Sequence, residues 1–170
     1  GYRDHTWKGK LEMPMSYGVG FAWRVTNKLT LSADIYRTEW GDYVMQYPER
    51  EISPVTGLPA SESNIGPTHQ ARAGLEYVRI VSEYLIPFRC GIFYDPEPAE
   101  GSPDDIYGFS LGTGITANRF SFDVAFEWRL GRNVGSSMLL KENQFTQDMN
   151  EYKVYSSFIF YWDKKQGGML

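Results

Sequence analysis

The stretch Phe120-Ser121-Phe122-Asp123-Val124-Ala125-Phe126-Glu127-Trp128-Arg129-Leu130 alternates without a break. Phe120, Phe122, Val124, Phe126, Trp128 and Leu130 fall on one parity, and Ser121, Asp123, Ala125, Glu127 and Arg129 on the other. Successive side chains of a β-strand point to opposite faces, so this pattern predicts a strand with one bulky apolar face and one small or charged face. Its length matches the ~9–11 residues that a tilted strand needs to cross the hydrocarbon core of a bilayer.

The same split recurs in both directions along the chain. In Met15–Val25, Met15, Tyr17, Val19, Phe21, Trp23 and Val25 oppose Ser16, Gly18, Gly20, Ala22 and Arg24. In Ile106–Thr116, Tyr107, Phe109, Leu111, Thr113 and Ile115 oppose Gly108, Ser110, Gly112 and Gly114. His69–Ile80, Tyr84–Tyr94 and Tyr152–Trp162 read likewise. In Leu29–Met45 the alternation begins cleanly at Leu29, Leu31, Ala33 and Ile35, but Arg37 and Glu39 then occupy the apolar parity. Either a β-bulge near Ile35–Tyr36 turns them away, or the strand leaves the apolar layer there.

The connections separate a membrane barrel from a sandwich. Short links at Thr26-Asn27-Lys28, Val81-Ser82-Glu83 and Ala117-Asn118-Arg119 alternate with long ones at Gln46–Thr68, Asp95–Asp105 and Gly131–Asn150. Outer-membrane barrels sort their turns this way, with a lipid-facing apolar band, aromatic girdles and a polar lumen. A sandwich has no reason to sort its loops by end, and its solvent face seldom carries so much glycine. The fold expected is an all-β transmembrane antiparallel up-and-down β-barrel with about seven spanning strands, in the outer membrane, with residues 163–170 as a periplasmic tail. Bacterial single-chain barrels have even strand numbers. Two alternatives stay open: a small eight-stranded barrel whose first strand includes Gly1–Lys8, or the C-terminal portion of a larger barrel.

Composition narrows the function. Lys+Arg 17 against Asp+Glu 21 gives a net charge of −4 over 170 residues, which argues against a nucleic-acid partner. Aromatic residues make up 16% of the chain and no apolar run is long enough for a membrane helix, which favours a sheet with one greasy face. A single cysteine, Cys90, and two histidines, His5 and His69, supply no disulfide and no zinc-type ligand set, so no cofactor is expected. No serine is patterned with His69 as a nucleophile–base pair, so an enzyme is not expected.

Several segments together resemble a known family. They are Leu11-Glu12-Met13-Pro14, Tyr17-Gly18-Val19-Gly20, Leu29-Thr30-Leu31-Ser32-Ala33-Asp34 and Arg37-Thr38-Glu39-Trp40. Ile86-Pro87-Phe88-Arg89-Cys90-Gly91, Phe93-Tyr94-Asp95-Pro96-Glu97-Pro98, Ser102-Pro103-Asp104-Asp105 and Gly108-Phe109-Ser110-Leu111-Gly112-Thr113-Gly114 continue the match. From about Lys8 to Trp162 the chain resembles the C-terminal half of the FadL/TodX family of long-chain fatty-acid transport proteins. The resemblance implies a fourteen-stranded barrel closed by an N-terminal hatch, and a hydrophobic small-molecule ligand passed sideways into the outer-membrane lipid. It also implies that the N-terminal half of the barrel and the hatch are partners missing from this chain. These motifs belong to strands and loops, so they indicate the family more closely than the cargo. The rival function is a small structural or adhesive outer-membrane barrel without a transport role.

Candidate site residues follow from parity. Arg24, Asp34, Arg72, Glu76, Arg89, Asp123, Glu127 and Arg129 are expected on the lumen face, as a polar pathway or as a charge lattice that keeps the lumen rigid and hydrated. Inward glycines leave space for a plug or cargo, or relieve strain in a curved sheet. Met45, Met138, Leu139, Leu140 and Met149 lie in or beside long loops, as an outer docking groove for a lipid-like ligand or as loop packing. The segment Asp95–Asp105 concentrates five carboxylates, a composition that can take Ca²⁺, yet it lacks an EF-hand pattern and reads better as a solvated shield over the barrel mouth.

Overall fold

A computed structural model describes residues 9–135 and 147–162. It is all-β apart from one 3-10 turn at Trp40–Asp42. The strands are β1 (Lys10–Glu12), β2 (Ser16–Arg24), β3 (Leu29–Thr38), β4 (Val44–Gln46), β5 (Glu51–Ile52), β6 (Thr68–Val81), β7 (Tyr84–Tyr94), β8 (Ile106–Thr116), β9 (Phe120–Val134) and β10 (Gln147–Phe160). Seven of them form one antiparallel up-and-down sheet in the order β2-β3-β6-β7-β8-β9-β10. The other three make a small antiparallel sheet, β1-β4-β5. Among the described residues β2 and β10 each pair on one side only, so the sheet is open at both edges.

Register carries the alternation across the whole sheet. Trp23, Leu31, Leu75, Cys90, Leu111, Phe126 and Val154 are successive cross-strand partners, one from each strand. The next row on the opposite face is Ala22, Ser32, Gly74, Gly91, Ser110, Glu127 and Lys153. A slip of one residue would exchange the two faces, so the shared parity of all seven strands holds the register. The apolar face is uncovered: Leu111 is 53% exposed and Val154 72%. In a two-sheet sandwich these side chains would be packed against a second sheet.

The short links are tight. At the β2–β3 turn, the Val25 and Thr26 amides donate to Leu29 O at 2.9 and 3.2 Å, and Thr26 Oγ1 accepts from the Lys28 and Leu29 amides. The β6–β7 link is the two residues between Val81 and Tyr84, with Ser82 in the left-handed region at φ 53°. The Ala117 amide closes the β8–β9 turn on Phe120 O at 2.8 Å. The long loops gather at the other end. Gly101 N donates to Asn64 O at 2.7 Å, and Gly135 N donates to Asp104 Oδ2 at 2.8 Å, so three loops touch. The small buried core sits at this end too, with Ile106, Ala99, Thr68 and Val134 enclosed.

Three boundaries differ from the sequence expectation. The Leu29–Met45 segment ends as a strand at Thr38, and its register with β2 is unbroken from Arg24↔Thr30 to Ser16↔Thr38. There is no bulge at Ile35–Tyr36: the strand leaves the apolar layer. Arg37 stays on that face and is bound by Glu39, and Trp40 turns in to donate from Nε1 to Thr68 Oγ1 at 2.9 Å. The chain then returns as β4 against β1 and β5. At the far edge, β9 and β10 continue into the expected loop Gly131–Asn150, as far as Val134 and back from Gln147. Alternation hides this extension because a register shift falls between Gln147 and Met149. Gly1–Lys8, proposed as part of an eighth strand, and the 163–170 tail lie outside the described residues, and Lys10–Glu12 joins the small sheet.

Candidate functional site

The polar face of the seven-stranded sheet holds a cavity of about 560 Å³. Asp34, Arg72, Glu76, Arg89, Glu127 and Arg129 line it, six of the residues selected by parity. Asp123 is joined to it through Arg89. Arg24, at the end of β2, shares the face but stands outside the cavity.

Two charge clusters organise this face. In the first, Arg89 Nε donates to Glu76 Oε2 at 2.7 Å and Nη1 to Asp123 Oδ1 at 2.7 Å. Asp123 also accepts from Ser121 Oγ at 3.3 Å, and Ser121 pairs with Thr116 at 2.9 Å. In the second, nearer the long loops, Arg129 Nη1 meets Glu151 Oε2 at 3.2 Å while Nη2 lies 3.5 Å from Asp95 and 3.7 Å from Glu97. Lys153 Nζ shares Glu151 at 3.0 Å. The Arg129 side chain is the least exposed of these, at 15%. Asp34 and Arg72 are register partners but form no ion pair among the described residues.

Glycines shape the cavity by letting other side chains cross over them. Gly112 and Gly114 of β8 lie beneath the Arg89–Asp123 bridge, and the Phe93 ring lies over Gly108. Phe93 is a bulky apolar side chain set into this polar lining. The glycines also explain why small residues dominate the inner parity of β8.

Lys153, Glu151, Asp95, Glu97 and Phe93 also belong to this face or its rim, although they were not selected as lumen residues. Glu151 lies one residue before the expected start of the last strand, which concealed its parity. Lys153 carried the right parity and could have been found.

The loop candidates separate. Met45 sits in β4 between Leu11 and Ile52, and Met149 is in β10 opposite Gly131 instead of in a loop. Met138, Leu139 and Leu140 lie outside the described residues. The five carboxylates of the 95–105 loop do not converge, and no metal-ligand group exists among the described residues. Each has a protein partner, shared only by Asp95 and Glu97. Asp95 and Glu97 face Arg129, Glu100 accepts from the Asn64 amide, Asp104 accepts from the Gly135 amide, and Asp105 accepts from the Tyr94 hydroxyl. Through Glu100 and Asp104 the loop is stapled to the two other long loops, while Glu97, Gly101, Ser102 and Asp105 stay exposed.

On the apolar face a polar cluster marks the long-loop rim. Arg37 donates to both oxygens of Glu39, at 2.6 and 3.1 Å, Tyr17 OH donates to Glu39 at 2.9 Å, and Arg37 Nη1 lies 3.1 Å from His69 Nε2. The two hydrogen-bond donors hold the Glu39 carboxyl below its ordinary pKa, with Arg37 the larger cause and Tyr17 the next.

No family model, curated protein or solved structure matches this chain.

Proposed function

We propose that the chain is part of an outer-membrane β-barrel that takes up hydrophobic small molecules such as long-chain fatty acids. The observation that carries the membrane part is the uncovered row from Trp23 through Leu111 to Val154, seven apolar side chains wide. Exposed apolar patches of this size on a water-soluble protein are rare and invite association. Against lipid the same row is the ordinary outer surface of a barrel.

The aromatic side chains support the same reading. Toward the long loops, Trp128 and Tyr152 stack at 5.8 Å, Phe109 meets Trp128 edge-on at 5.3 Å, and Tyr94 lies 5.0 Å from Tyr107. Toward the short turns, Phe120 stacks on Phe158 at 6.4 Å and Phe160 meets Trp162 at 5.4 Å. Aromatic side chains thus gather toward both ends of the apolar face, as they do at the two membrane interfaces of a barrel, with Phe126 and Phe88 also in the rows between them. The polar face, with its cavity, then forms part of the lumen wall, and the stapled long loops lie at the outer mouth.

The cargo class rests on the family resemblance of the strand and loop motifs. Disrupting the gene in the source cell tests it: uptake of labelled oleate should fall several-fold while uptake of a small sugar stays unchanged. Unchanged oleate uptake would count against transport of such molecules.

A further inference from the structure

We propose that Arg72 and Phe93 form a docking point for an amphipathic carboxylate, a monoanionic head with an apolar remainder. The proposal rests on the transport reading above and narrows its ligands from hydrophobic molecules in general to ionised acids.

Four cations line the cavity: Arg72, Arg89, Arg129 and Lys153. Three are already in ion pairs. Arg89 is held by Glu76 and Asp123, Arg129 by Asp95, Glu97 and Glu151, and Lys153 by Glu151. Among the described residues Arg72 forms no ion pair and lies over no aromatic ring. A guanidinium is a planar fork of donors that matches a carboxylate, and here no carboxylate of the wall occupies it.

Phe93 is the cross-strand partner of Arg72, and Gly108 is the next residue in the row. Because Gly108 has no side chain, the Phe93 ring lies over it, toward β8 and away from Arg72. In the next row toward the short turns Gly74 and Gly91 are partners, with only the Ser32 and Ser110 hydroxyls leaning over them. The Glu76–Arg89 pair closes the far side. At about 3.4 Å per residue, about 14 Å of strand separates that pair from the Arg72 row. The bed offers one uncommitted cation, one apolar ring and a low floor. Its cavity falls within the ~300–1,000 Å³ of small-molecule sites. Covering the ring with methylene groups removes apolar surface from water, so the head alone is the poorer ligand.

Charge selects the head. Asp34, Glu76, Asp95 and Glu127 balance the four cations of the lining. A monoanion needs only Arg72, whereas a phosphate monoester would have to draw Arg89 or Arg129 out of its ion pairs. Asp34, the partner of Arg72 on its other side, competes for the same fork. That competition keeps binding weak enough for release, as passage through a pore requires. Glu127 is three strands from Arg72, about 14 Å at about 4.8 Å per strand, and bears less on the head.

The test uses the 170-residue chain in phosphatidylcholine vesicles and an octanoate carrying a photoreactive diazirine on its tail, with labelled residues located by mass spectrometry. The proposal expects label at Phe93, Gly91 and Ser110, displaced by octanoate and not by octanol. Arg72→Gln should reduce this label at least about fivefold, Arg72→Lys should reduce it less, and Asp34→Asn should raise it. Lys28→Gln, which removes a cation at the β2–β3 turn, should leave it unchanged. Probe dissolved in the bilayer labels Leu111 and Val154 and so reports insertion of each variant. Should Arg72→Gln lose that label too, the octanoate and octanol competition on the native chain decides. Polar-face label that survives in inserted Arg72→Gln, or that octanol displaces as well as octanoate, would overturn the proposal and leave the membrane reading standing, with oleate uptake judging transport independently. Absence of label at Leu111 and Val154 in the native chain would overturn the membrane reading and this site with it.

Discussion

Arg89 on β7 bonds Asp123 on β9 at 2.7 Å, although β8 lies between them. Two strand spacings of about 4.8 Å separate the backbones, and only the long arginine side chain spans them. The crossing is open because the inward residues of β8 beneath it are Gly112 and Gly114. The same guanidinium holds Glu76 on β6, so one side chain links β6, β7 and β9 on their polar face, across the intervening β8.

The two glycines should respond differently to substitution. A methyl group on Gly114 would stand 2.6 Å from the backbone oxygen of Phe122 and against the Asp123 carboxylate. Gly114→Ala therefore forces either the strand or the bridge to move, at a cost of about 1–3 kcal/mol. At Gly112 the nearest atoms would be 3.5 to 3.7 Å away, which is ordinary contact. Gly112→Ala should be neutral or stabilising by up to about 1 kcal/mol, since it removes the flexibility of a mid-strand glycine. Urea unfolding in vesicles measures both, and the reverse order would contradict the crossing.

The rim cluster gives a pH dependence with a definite sign. Glu39 lies just past β3 and accepts hydrogen bonds from Arg37 and Tyr17, which lower its pKa in the folded chain. Its contribution to stability is full above the ordinary carboxylate pKa of about 4.3 and is lost as pH falls through the lowered folded value. The stability curve of the native chain should bend downward in that acid window, and the curve of Glu39→Gln should bend less there. Identical acid slopes for the two proteins would remove Glu39 from the account.

Period-two alternation made the seven large strands and their facing legible, because each strand repeats the same split between bulky and small residues. The ends of strands were less legible. Arg37 stays on the apolar parity because its charge is satisfied by a residue two places on, a local hydrogen bond that alternation does not register. Glu151 was hidden by the irregular pairing that begins β10. The small sheet β1-β4-β5 was not anticipated, since strands of two or three residues are too short to show a period. For the candidate site, parity identified the charged residues but not their pairing. That Arg89 selects Glu76 and Asp123 depends on three ladders being in register and on the glycines between them, information spread over more than forty residues of chain.

The central claim is that the row through Leu111 faces lipid. Leu111 lies on β8, away from both open edges, and half of its surface is uncovered. In water an arginine at such a position changes stability by no more than about 0.5 kcal/mol. Near the midplane of a bilayer it costs about 2–4 kcal/mol. The measurement is urea-induced unfolding of Leu111→Arg beside the native chain, both reconstituted in phosphatidylcholine vesicles. The account predicts a loss of about 2–4 kcal/mol for Leu111→Arg. A stability within about 0.5 kcal/mol of the native chain would contradict it, because the bulky face would then be turned to water.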